Sequence, residues 1–139
     1  MTVEEKVDEQ LVKYGLNPDS KYTAEIRKSI YREINDKERE SNELLKLGCV
    51  QLFAIGNVED SLLIWRAKES SFDAACYIEI PLTCGAGLSE TKEYLGEQAG
   101  KEANELLDYL LKCEESGDFE DFSVQSKLDE YHHYFYGNT

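Results

Sequence analysis

Leu44, Leu45, Leu47, Val50, Leu52, Phe53 and Ile55 lie within a stretch of twelve residues that has the spacing of a helix and, in its second half, almost no polar face. A helix that is apolar nearly all round is stable only if buried on several sides. This segment therefore demands a wrapping of other elements, and the rest of the chain reads as helices able to provide it.

Val3, Val7, Leu11 and Tyr14 form one stripe, which predicts a first helix over Val3 to Tyr14 stopped by Gly15. Asn17-Pro18 then reads as N-cap and first helical residue of a second helix. In that helix Tyr22, Ile26, Ile30 and Ile34 repeat every four residues. Asn35 with Glu38 has the form of a capping box ahead of the apolar helix, and Gly56 closes that helix. Asn57 with Asp60, and Ser70 with Asp73, mark two further starts, before Leu62 to Ala67 and before Phe72 to Leu82. Within the latter, Ile78 and Ile80 offer a rival strand over Tyr77 to Leu82, and the helical spacing of Phe72 to Cys76 favours helix. Gly85-Ala86-Gly87 ends that element, and Ser89 caps a short helix to about Gln98. A longer helix carries Leu106 to Leu111 and stops at Gly117, and a Tyr-rich one runs from Ser123 to Tyr136.

The expectation is an all-α chain forming one domain over residues 1–139, with six to seven antiparallel helices. They make either a compact bundle or a short stack of degenerate helical-hairpin repeats. At this length roughly two-thirds of the unfolded surface can be buried, so no metal or disulfide staple is needed.

Acids outnumber bases 29 to 15, a formal charge of -14. That field repels nucleic acid and anionic lipid and attracts basic proteins. It is also uneven: residues 86–139 carry 13 acids and 4 bases. Cys49, Cys76, Cys84 and Cys113 stand in apolar, helical contexts without metal-type spacing, which predicts free, buried thiols in a reducing compartment. Met1 to Tyr14 is charged throughout, with no apolar signal-peptide core, and no apolar run approaches twenty residues. The expected location is the cytoplasm, with no membrane contact.

Motifs for catalysis are incomplete. Ser89-Glu90-Thr91-Lys92 spells S-x-x-K without its companion triplets, and Gly85-Ala86-Gly87 lacks the third glycine and preceding strand of a dinucleotide loop. Glu130 with His133 gives one Glu-x-x-His, whereas a di-iron bundle needs two, and His132 is the only other histidine. Cys113 at a helix C-terminus meets the end of the dipole that disfavours a thiolate. No enzyme activity, cofactor, metal or small-molecule substrate is therefore expected.

Two features rise above this background. Glu114, Glu115, Asp118, Glu120 and Asp121 place five acids in eight residues around Phe119 and Phe122. Such a block reads either as a solvated loop between helices or as a surface that a cation or basic partner discharges. Tyr131 and Tyr134, near Phe135 and Tyr136, read equally as the core packing of a terminal helix or as aromatic anchors of the kind found at interfaces. The expected partner site is Glu114, Glu115, Asp118, Phe119, Glu120, Asp121, Tyr131 and Tyr134. Arg66 and Lys68, beside the only Trp, read as internal partners for nearby acids.

From about Leu47 to Phe122 the chain resembles small helical immunity proteins of contact-dependent growth inhibition and related polymorphic toxin systems. The resemblance is carried by Gly56-Asn57-Val58-Glu59-Asp60, Ile64-Trp65-Arg66-Ala67-Lys68, Cys84-Gly85-Ala86-Gly87 and Glu114-Glu115-Ser116-Gly117-Asp118-Phe119. It transfers no catalytic or binding residue by position. It implies a role: a cytosolic antidote that occludes the active site of a cognate toxin, often a basic nuclease, by presenting carboxylates where substrate phosphates would lie. The alternative is a helical scaffold that binds a peptide or protein partner with no toxin involved.

Overall fold

A computed structural model describes residues 1–137. Among them are eight α-helices and no strand. The helices are α1 (Val3–Tyr14), α2 (Thr23–Asn35), α3 (Glu43–Ile55), α4 (Ser61–Lys68), α5 (Phe72–Tyr77), α6 (Leu88–Glu97), α7 (Lys101–Glu115) and α8 (Val124–Tyr136). They form a compact all-α bundle. Its centre is α3, buried continuously from Leu44 to Phe53. Helices α1, α2, α4 and α8 and the 3-10 turn Ile80–Cys84 pack around it. A second apolar cluster joins Trp65, Leu95, Leu106 and Leu110 to Phe119, and Phe122 packs against both clusters.

Several boundaries fall where the sequence places them. Thr2 caps α1 in a reciprocal box with Glu5, and the Gly15 N–H donates to Leu11 O at 2.8 Å. Gly56, at φ 86°, ends α3, and Ser123 caps α8. Other boundaries differ. Pro18 lies outside any helix; Asp19 caps the 3-10 turn Ser20–Tyr22, which leads into α2. Asn35 is the last residue of α2 rather than a cap, because Asp36 to Ser41 contains no apolar residue to bury and stays a loop. Arg39 pins that loop through Glu33 O (3.0 Å), Asn42 Oδ1 (2.8 Å) and Ser70 Oγ (2.8 Å). Ser71, not Ser70, caps α5, since the Ser70 hydroxyl donates back to Ala67 O at 2.6 Å. Gly87, not Ser89, holds the N-cap position of α6.

The span expected as one helix from Phe72 to Leu82 is neither helix throughout nor strand. Helix α5 stops at Tyr77, Ile78 and Glu79 are extended, and a 3-10 turn follows from Ile80 to Cys84. Pro81 has no N–H to continue the α ladder, which accounts for the break. These short pieces raise the helix number above the expected six to seven. Cys49, Cys84 and Cys113 are free and buried as expected, but Cys76 is exposed on α5.

Gly85 acts by its size rather than by its conformation. At φ -63° it is accessible to any residue, yet a Cβ there would lie 2.6 Å from Phe53 O and 3.0 Å from Phe53 Cα. The 3-10 turn thus meets the backbone of α3 directly. Gly85→Ala should destabilise the protein by about 2–3 kcal/mol, read as a lowered urea midpoint, because helix backbone cannot move aside as a side chain would. A change below about 0.5 kcal/mol would mean that the close approach is not a real constraint.

Candidate functional site

The acidic segment after α7 is built on a closed turn. The Asp118 N–H donates to Cys113 O at 2.9 Å and the Gly117 N–H to Glu114 O at 3.1 Å, with Gly117 at φ 89°. These two bonds make a Schellman motif, which satisfies the last carbonyls of α7. Two further bonds, Glu120 N–H to Gly117 O and Phe122 N–H to Phe119 O, each 3.1 Å, keep the chain turning. Phe119 meets Phe122 edge-on at 5.4 Å, and both rings point inward. The acids are left outside on a loop whose backbone is held from beneath.

The five acids, two in the last turn of α7 and three on the loop after it, are not equivalent. Glu114 is paired with Lys92 at 2.9 Å. Glu115, Asp118, Glu120 and Asp121 are exposed and have no basic group within 4.0 Å among the described residues. Asp121 has φ 60°, the one left-handed non-glycine among the described residues. Glu115 and Asp118 sit at the negative end of α7, where the helix dipole disfavours acids.

Phe119 and Tyr131, expected as anchors, are 9% and 3% exposed. Their area is buried in the core and is not open to a partner. Tyr134 remains 48% exposed. The structure does not gather the expected site into one patch: α8 rises about 1.5 Å per residue, so Tyr134 lies roughly 16 Å along the helix from Ser123. Arg66 pairs with Glu102 through hydrogen bonds of 2.7, 2.9 and 3.0 Å, in keeping with the internal ion pair expected of it. Lys68 does not pair with an acid; it donates to the carbonyls of Ala75 and Ile78 and so caps the end of α5.

Sequence reasoning missed a cluster joining α3, α5 and α8. The Lys46 ammonium lies over three tyrosine rings, 4.2 Å from Tyr134, 4.7 Å from Tyr77 and 5.5 Å from Tyr131. The Tyr134 hydroxyl donates to Glu43 Oε2 at 3.0 Å, and Tyr77 bonds the same oxygen. The Tyr131 hydroxyl donates to Glu79 Oε1 at 2.6 Å, and Lys127 Nζ donates to Glu79 Oε2 at 3.1 Å. Burial pushes Lys46 below its ordinary pKa, while Glu43 and Glu79 act against that shift. Each ring face favours the charged form, by about 0.5–2 kcal/mol per contact. The signal available in the sequence was a single lysine inside the most apolar helix, one turn from Glu43.

Beside this cluster a groove of about 880 Å³ runs between α1 and α8. Val3, Val7, Leu11, Tyr134 and Phe135 contribute its apolar lining, and Glu4, Asp8, Glu40 and Glu43 its charge. No base lines it.

The thiols are poorly suited to nucleophilic work. Burial raises Cys49 and Cys113, and it pushes Cys84 up to about 11. Among the described residues no three His, Cys, Asp or Glu side chains are placed to hold a metal ion, and no helix is long and apolar enough to cross a membrane. No protein-family model, curated protein or solved structure matches this chain.

Two measurements follow from this geometry. Asp121→Gly relieves the left-handed backbone and removes a crowded charge, so stability should rise by about 0.5–1 kcal/mol, with the urea m-value unchanged. A loss of stability would show that the acid supports the loop. For Glu79, burial alone would raise the carboxyl, but the bonds from Tyr131 and Lys127 outweigh it and hold the pKa below its ordinary 4.5. A depressed carboxyl contributes stability above its unfolded pKa and loses it as pH falls through the folded one. Glu79→Gln should therefore cost about 1 kcal/mol at neutral pH, after allowance for a half-exposed group, and the gap from wild type should close as pH falls below the ordinary carboxylate range. A gap independent of pH would show that the carboxylate charge is not what Tyr131 and Lys127 recognise.

Proposed function

We propose that this protein is an immunity protein: it binds a basic toxin domain in the cytoplasm and neutralises it by covering the active site. One observation carries the reading. Glu115, at the end of α7, and Asp118, Glu120 and Asp121, on the hydrogen-bonded turn after it, have no basic partners among the described residues; the helix dipole opposes Glu115 and Asp118, and Asp121 is in a left-handed conformation. Local costs that bring no folding gain concentrate at functional sites. A basic protein surface would discharge these carboxylates, and preorganised acids match a site shaped for phosphates. The resemblance to immunity proteins supports the same reading. Action is by occlusion, not catalysis.

Acids on such a loop speed the approach of a basic partner more than they slow its departure. Glu120→Lys with Asp121→Lys should lower the association rate with a basic nuclease-type domain by about tenfold at low salt, and added salt should shrink the difference. Co-expression with a basic nuclease-type toxin domain supplies the biological test: wild type should restore survival and the double variant should restore it less. Equal binding by wild type and variant across salt concentrations would show that the loop is only a solvated surface.

A further inference from the structure

We infer that the groove between α1 and α8 is a second docking surface, and that its occupant is a basic amphipathic helix of a protein partner. Along one wall Val3, Val7 and Leu11 repeat every four residues, and Tyr134 and Phe135 face them from α8. Val7 and Leu11 are buried at the base, while Val3 and Phe135 are only half-buried and remain open to an apolar contact. Two helix edges separated by such a trough accept the apolar stripe of a third helix.

Charge decides which helix fits. Glu4, Asp8 and Glu40 are exposed on the rim and have no basic group within 4.0 Å among the described residues. Glu43 is oriented by the Tyr134 hydroxyl. Lys46, one turn along α3 from Glu43, is drawn into the tyrosine cage and does not line the trough; its charge offsets Glu43 and leaves Glu4, Asp8 and Glu40 to set the sign of the rim. Lys6 and Arg39 line an adjoining cleft that shares Thr2, Val3, Glu40 and Ser41 with the groove, but neither reaches the groove itself. An apolar floor under an uncompensated acidic rim matches a helix with leucine-like residues on one face and Lys or Arg flanking them. A second copy of this chain is a poorer occupant, because it brings its own charge of -14 to an acidic rim.

The inference rests on the basic-partner reading only for the sign of the partner's charge. It concerns a different face, and it can be tested without the toxin. The probe is a fluorescein-labelled synthetic peptide of about 18 Lys and Leu residues with leucines at helical i, i+3, i+4, i+7 spacing; its control has the same composition in non-amphipathic order. Fluorescence anisotropy should show wild type binding the amphipathic peptide at least tenfold tighter than the control. Asp8→Lys with Glu40→Lys should abolish that preference, and Glu120→Lys with Asp121→Lys should keep it, with the fold of each variant checked by circular dichroism. Equal affinity for the two peptides would overturn the groove, as would an equal loss from the loop variant. A wild-type dimer in sedimentation that the Asp8 and Glu40 reversals dissolve would overturn the assigned occupant. Preference for the amphipathic peptide together with failed rescue from the toxin would leave the groove standing and remove the immunity reading.

Discussion

Everything in this fold answers to the burial of α3. A helix with no solvent face leaves its neighbours little choice, and a polar side chain buried within it settles how two of them meet it. Gln51 is fully buried; its amide donates to Gly15 O at 2.8 Å and accepts from Gln10 Nε2 at 2.8 Å. Gln10 in turn accepts from Ser29 Oγ at 3.0 Å. A buried amide left unpaired would cost about 1–3 kcal/mol, so this chain of bonds fixes α1 and α2 in one register on α3. The Arg27 guanidinium adds a fork onto buried Asp60, at 2.7 and 3.1 Å, tying α2 to the turn before α4. Apolar burial supplies the drive, and these polar contacts choose among the ways of achieving it.

How much of this was visible in the sequence follows from the range of each interaction. Periodicity and terminal glycines are local, so α1, the end of α3 and the start of α8 could be read directly. Capping is local in principle, yet Asn35 and Ser70 were outcompeted by their neighbours. Asp36 to Ser41 offered nothing apolar to bury, and Ser70 turned its hydroxyl back onto α4. The segment after Tyr77 escaped because Pro81 and the contact of Gly85 with Phe53 act together across 32 residues of sequence.

The candidate site divides along the same line. Composition alone points to the acids after α7, and no pattern in the sequence reveals that Lys92, 22 residues away, takes Glu114 out of that group. Phe119 and Tyr131 illustrate the ambiguity of aromatic residues, for a ring reads alike as core or as anchor until the packing is known. The tyrosine cage around Lys46 joins residues from α3, α5 and α8, and the groove joins α1 to α8. Both depend on which helix ends become neighbours, and neither has a sequence signature of its own.

Among the described residues, ion pairs engage Glu25, Glu59, Asp60, Glu79, Glu102, Glu105, Glu114 and Glu130, eight of the 29 acids. Others serve local structure: Glu5 closes the cap of α1, Asp19 caps the turn before α2 and Glu43 accepts from the Tyr134 hydroxyl. Exposed acids with neither role, such as Glu115 and Glu120, contribute little to the folded state. Exchanging one surface acid for another residue therefore leaves the packing around α3 intact. In evolutionary terms the core and the exposed acids are separate traits, inherited on one scaffold but open to selection one at a time. Positions such as Glu115 or Glu120 can drift without touching the packing, while Gln51, Gly85 and the Arg27–Asp60 fork stay under the constraint of folding.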